Sequence, residues 1–235
     1  MTQAARQDPA RAPVPPPPPG TVPGWAVIAA GISPVLLVIA WVWAGAVQPA
    51  AYSPMRQTVS VMAGLGGTDR WIMTTALLVV GACHLITAAG LDVLRRPARI
   101  LLVIAGLSSV GIALFPEPVT GSTPAHLAFT ALGAAAIAIW PGFTVARTFP
   151  RPLVVSEVGA AIVTAVFLIL LAWLISETQG GSDLGLAERL SSSVETCWPF
   201  VVAVALWNAG RARRPGSGGP GLAADDEMAC PGSFR

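Results

Sequence analysis

The residues able to do chemistry in this chain are few. His126 follows Glu117 by nine positions across the loop Phe115-Pro116-Glu117-Pro118, close enough for an imidazole and a carboxylate to meet. Such a pair suits general acid–base catalysis when a hydroxyl nucleophile stands nearby, and Ser53, Thr58 and Ser60 are the hydroxyls on offer. No nucleophile-elbow glycine pattern and no metal-ligand spacing accompanies them. A second group is better ordered: Glu188, Ser192, Glu195 and Pro199 recur at i, i+4, i+7 and i+11, which places them on one face of a helix. Pro199 has no N–H, so the Glu195 carbonyl loses its helical partner beside that carboxylate, and a polar, partly unwound stripe is expected. Cys83, Cys197 and Cys230 form no C-x-x-C pair, so no thiol metal site or disulfide framework is indicated, and neither metal nor cofactor is expected.

These residues are embedded in six long apolar runs: Trp25 to Val47, Trp71 to Leu91, about Ala98 to Phe115, Ala125 to Ala146, Leu153 to Ile175, and Leu186 to Ala209. About 20 helical residues cross a hydrocarbon core of about 30 Å, so the third run is short and the others are comfortable spans. With 54% hydrophobic and 11% charged residues, the chain cannot build a water-soluble surface. The expected fold is all-α, an integral membrane bundle of six transmembrane helices over residues 25–210. Residues 1–24 form a proline-rich tail, unbroken proline from Pro15 to Pro19, and residues 211–235 form a glycine-rich and acidic one; both are expected to be disordered. A cleaved leader is the rival reading of the first run, because Ala44-Gly45-Ala46 resembles a processing site. The apolar run before it, about 20 residues, exceeds the 7 to 15 of a signal core.

The chain has no lysine, and its arginines fall on alternate sides. Arg6, Arg11, Arg95, Arg96, Arg99, Arg147, Arg151, Arg211, Arg213 and Arg214 share one side, against Arg56, Arg70 and Arg189 on the other. That bias predicts that both termini are cytoplasmic. The eight tryptophans mostly fall near span ends, as an aromatic belt would place them.

Orientation sorts the polar residues. Tyr52, Arg56, Asp69, Arg70, Glu117, His126, Glu188, Arg189 and Glu195 belong to one outward layer, either a functional pocket or a salt-bridged lid. A carboxylate in hydrocarbon costs a few kcal/mol on insertion scales, so Glu195 is expected to face the interior, pair with a cation or be protonated. Arg189, Arg70, Arg56 and His126 are its candidate partners. His84 stands apart as a buried interior polar residue, thirteen positions after Trp71 and roughly 20 Å deep at about 1.5 Å per residue. It differs from His126 by roughly 15 Å in depth on the same arithmetic, which argues against paired haem ligation.

The motifs Tyr52-Ser53-Pro54-Met55-Arg56-Gln57-Thr58-Val59-Ser60, Asp69-Arg70-Trp71, Cys83-His84-Leu85, Phe115-Pro116, His126, Gly185-Leu186-Ala187-Glu188-Arg189 and Trp198-Pro199 lie in this order. In them the chain resembles the actinobacterial membrane family known as domain of unknown function 998, over about residues 25 to 210. The resemblance implies a bacterial multi-pass protein of the plasma membrane and carries no catalytic assignment.

Three functions follow as expectations. The first is binding or movement of a small molecule or lipid through an outward-facing polar pocket, with Pro34, Pro141 and Pro199 as places for helices to bend. The second is an interfacial lipid hydrolase or transferase using His126 as base, Glu117 or Glu188 to orient it, and Ser53, Thr58 or Ser60 as nucleophile. The third is a structural subunit that takes a protein partner through the proline-rich tail. The expected partners are thus the lipid bilayer, a small-molecule or lipid ligand and a protein bound through the proline-rich tail; nucleic acid has no footprint beyond arginines that topology explains.

Overall fold

The computed structural model describes residues 21–145 and 152–212; most of the two polar tails, with Arg6, Arg11, Arg147, Arg151, Arg213 and Arg214, lies outside the described residues. The described residues form seven α-helices: α1 (Gly24–Ala46), α2 (Val59–Ala63), α3 (Trp71–Gly90), α4 (Arg96–Leu114), α5 (Pro124–Ile139), α6 (Glu157–Glu177) and α7 (Leu184–Arg211). All but the five-residue α2 are long and apolar enough to cross a membrane, with α5 counted together with the 3-10 turn Trp140–Phe143 that continues it. The chain is a six-span, multi-pass membrane protein.

Local chemistry sets the helix ends. Thr123 accepts a hydrogen bond from the His126 N–H at 3.2 Å and Pro124 opens the first turn, so α5 starts one step before the apolar run. Ser156 accepts from the Gly159 N–H at 3.1 Å and begins α6 at Glu157, while Leu153–Val155 forms a separate 3-10 turn rather than the start of the span. The fourth run does not stay α-helical to its end: Pro141 has no N–H to give the fourth carbonyl back, and the chain tightens to 3-10 geometry from Trp140. The expected partial unwinding at Pro199 does not occur. α7 runs unbroken from Leu184 to Arg211, because one missing bond leaves the ladder on either side intact and Pro199 is packed in the interior.

The six spans close a ring. α1 packs on α3, α3 on α4, α4 on α5, α5 on α6, α6 on α7, and α7 returns to α1. Short connections between successive helices favour neighbours of this kind. Small residues let α3 and α4 approach closely: a Cβ at Gly81 would lie 2.7 Å from the Gly106 carbonyl oxygen, and one at Gly106 would lie 2.8 Å from that of Gly81. In lipid, where apolar burial gives helices no reason to associate, such close backbone contact is what holds them. Ser109 adds an interhelical hydrogen bond to the Leu77 carbonyl at 2.7 Å.

An even number of spans returns the chain to its starting face, where Thr21 lies against Gly210. The other end of the ring is covered by α2, which packs on α1, α3 and α7. Among the tryptophans, Trp25, Trp43 and Trp71 are exposed near span ends, whereas Trp140 is fully buried and donates its indole N–H to the Ala98 carbonyl at 2.8 Å. Trp140 is a core residue, not part of an aromatic belt.

Candidate functional site

Within the ring, towards the α2 end, lies a cavity of about 160 Å³ to which all seven helices contribute. α7 supplies Glu188, Ser191, Ser192, Glu195 and Thr196, successive turns of one face. α3 supplies His84, α4 supplies Ser108 and Ser109, α5 supplies Thr130, and α2 supplies Ser60. The rest of the wall is apolar, with Leu37, Leu77, Val80, Ile112, Ile137 and Leu174 among its residues. Among the described residues no arginine lines it.

Several of its polar groups are buried without a protein partner. His84 is 5% exposed, and neither ring nitrogen has a hydrogen-bond partner among the described residues. The hydroxyls of Ser108 and Thr130 are in the same condition. Glu195 is 6% exposed, and no hydrogen bond or ion pair within the described residues reaches its carboxylate. Buried polar groups are hydrogen-bonded in the great majority of proteins, because an unmade bond costs about 1–3 kcal/mol. A concentration of such groups on one cavity wall marks a place that something polar fills.

The cations expected to neutralise Glu195 point elsewhere. Arg189, 6% exposed, gives Nη1 to the carbonyls of Pro54 at 2.7 Å, Gln57 at 2.8 Å and Gly185 at 2.8 Å, and Nη2 to the Tyr52 hydroxyl. Its guanidinium also stands 5.6 Å from the ring centre of Trp41. The Tyr52 hydroxyl donates its own O–H to Met62 Sδ at 3.2 Å. Burial pushes the Tyr52 phenol above its ordinary value, and Arg189 opposes the shift without reversing it, so the hydroxyl stays neutral and able to donate. Glu188 completes the clasp by accepting from the Val59 N–H, the first residue of α2, whose Thr58 side chain accepts from the Val61 N–H. Adjacent residues of α7 thus hold both ends of the segment that leads into α2.

A second clasp ties α2 to the loop before α5. The Leu65 N–H donates to the Glu117 carbonyl at 2.8 Å, His126 Nδ1 lies 2.8 Å from the Phe115 carbonyl, and His126 Nε2 lies 3.4 Å from the Glu117 carboxylate. Burial pushes the Glu117 carboxyl above the usual carboxylate range; His126 and a hydrogen bond from Ser122 hold it back only in part. Both ring nitrogens of His126 are therefore engaged, and neither is open to a hydroxyl of Ser53, Thr58 or Ser60.

The structure divides the nine expected pocket residues. Glu188 and Glu195 line the cavity; Tyr52 and Arg189 fasten the chain beside it; Glu117 and His126 fasten the neighbouring loop. Arg56 and Asp69 are exposed, and Arg70 gives its Nε to the Ala63 carbonyl at 3.2 Å, the last residue of α2. His84, read from sequence as separate, shares the cavity with the two glutamates. Sequence reasoning passed over Ser108, Ser109, Thr130, Ser191 and Thr196. The available signal was hydroxyls in the middle of runs that are otherwise apolar. Among the described residues no group of three or more histidine, cysteine or acidic side chains is placed to hold a metal ion.

No curated protein and no solved structure matches the chain. Residues 15–205 match the family described as protein of unknown function (DUF998), a stretch that contains every span except residues 206–211 of α7 and every residue of the cavity. On that match over most of its length, the chain belongs to the DUF998 family.

Proposed function

We propose that this protein is a multi-pass protein of a bacterial plasma membrane, with both termini cytoplasmic, that binds a small molecule or lipid in the cavity at the α2 end of its helix ring. The α2 end then faces outward, in keeping with the arginine bias of the sequence. The observation that carries the binding reading is the unpartnered His84 imidazole in a cavity that also holds Glu195, Ser108 and Thr130. A cavity of about 150 Å³ in a soluble protein core accepts a benzene-sized guest, so the volume here suits a small molecule or one end of a lipid. A hydrolase or transferase centred on His126 has less support, since both its ring nitrogens are occupied.

The test is a thermal-stability screen of the purified, reconstituted protein against neutral, anionic and cationic small molecules and lipids. At least one class should stabilise the wild type and lose its effect in Ala134→Leu, which fills the cavity from α5. Stabilisation by no class, or equal stabilisation of the filled variant, overturns the reading and leaves the cavity to water.

A further inference from the structure

We propose that the ligand of this cavity is a small organic cation, an ammonium group on an apolar body, with Glu195 as its counter-ion; the inference rests on the binding reading above and specifies its chemistry. Charge is the first argument. Among the described residues the wall carries two carboxylates and no arginine, in a chain that has no lysine, so an anionic guest meets repulsion and no compensating donor of opposite charge. Glu188 is partly satisfied by the Val59 N–H, but Glu195 has no partner among the described residues, and a lone carboxylate in a low-dielectric interior favours any positive charge that reaches it.

The second argument is what kind of cation. Calcium and magnesium require six or more oxygen ligands and zinc about four ligands in fixed geometry, whereas no group of three metal-ligating side chains converges among the described residues. An ammonium asks for less. It presents up to three N–H donors, and it can give them to a carboxylate and to neutral acceptors. The unpartnered groups supply such acceptors: the Ser108 and Thr130 oxygens and, in its neutral form, one nitrogen of His84. The same cavity's Leu37, Leu77, Val80 and Ile112 give an apolar body a surface on which to pack. The proton balance is simple: an ammonium entering beside the carboxylate and a neutral amine taking the proton of the carboxylic acid arrive at the same ion pair.

The experiment compares para-fluorobenzylammonium, para-fluorobenzyl alcohol and para-fluorobenzoate, three probes of nearly equal size, by fluorine NMR titration of the full-length protein in nanodiscs, with empty nanodiscs subtracted. The ammonium should bind the wild type more tightly than the alcohol, and the benzoate should not bind. Glu195→Gln should weaken the ammonium about 10- to 100-fold, as loss of one charge-assisted hydrogen bond implies, and leave the alcohol unchanged. Retained alcohol binding also reports that the variant is folded. Ala134→Leu should abolish both. Equal binding of ammonium and alcohol, tighter binding of benzoate, or an ammonium affinity indifferent to Glu195→Gln overturns the cation inference; the binding reading survives in those cases if Ala134→Leu still removes the probe. Failure of every probe to bind the wild type also overturns the cation inference, and the wider screen then decides the binding reading by itself.

Discussion

At the scale of single residues, the division of labour along α7 is set by where each polar atom finds its partner. Arg189 gives Nη1 and Nη2 to three carbonyls and a phenol, so truncating it orphans the Pro54 and Gln57 carbonyls at once. Arg189→Ala should lower stability by roughly 2–4 kcal/mol in detergent unfolding, in line with the loss of several hydrogen bonds to a charged group. Arg189→Lys should recover only part of it, because an ammonium cannot copy the planar fork. Glu117 makes a pH prediction. Its carboxyl titrates above the unfolded value, so the folded state binds the proton more tightly. Its contribution to stability is therefore complete below the ordinary glutamate value of about 4.3 and is lost as pH rises through the folded value. The melting temperature should decline over that window in the wild type, and the decline should be shallower in Glu117→Gln.

At the scale of elements, α2 and its flanks decide how the cavity is closed. Gly185 lets α7 pass directly beneath the segment before α2: a Cβ there would overlap the carbonyl oxygens of Pro54 and Gln57 and lie 2.8 Å from Arg189 Nη1. Backbone atoms cannot swing aside as a side chain can, so Gly185→Ala should destabilise the fold by about 1–3 kcal/mol and loosen the clasp. Limited proteolysis between residues 48 and 58 measures the loosening; resistance equal to the wild type would contradict this account. Most span ends were readable in the sequence because apolar length is a local property; the end of α5 and the start of α6 were not, because Pro141 and the Ser156 cap set them. Nor was α2. Five residues, Val59-Ser60-Val61-Met62-Ala63, are too few for a periodic signal, and they are held by contacts from Glu188 and Arg70 that come from elsewhere in the chain.

At the scale of the molecule, the ring explains why residues far apart in sequence share one cavity. Depth arithmetic treats each helix separately, and it set His84 apart from Glu188 and Glu195. A ring places the inner faces of all its helices around one axis, so His84 of α3 meets the α7 face across the middle. The packing of α3 against α4 through Gly81 and Gly106 is part of that geometry. Gly106→Val should push the two helices apart, lower stability by about 1–3 kcal/mol, and disturb ligand binding through His84, whose Cβ would lie 3.1 Å from the new Cβ. Orientation is tested at the same scale. In a cysteine-free background, a cysteine at Arg56 should react with a membrane-impermeant maleimide added outside intact cells, and one at Arg211 should react only after permeabilisation; the reverse pattern would invert the proposed topology.

The sequence by itself determined the number of spans, most of their ends, and the common face of Glu188 and Glu195. Each of these depends on composition or helical period within a single segment. Only the tertiary structure decided which polar residues hold one another and which face an open space. Arg189 and Glu195 lie six residues apart on the same helix. One gives its guanidinium nitrogens Nη1 and Nη2 to a distant loop and the other is left to the cavity, because partner choice depends on how separate helices pack and not on the helix that carries the residue.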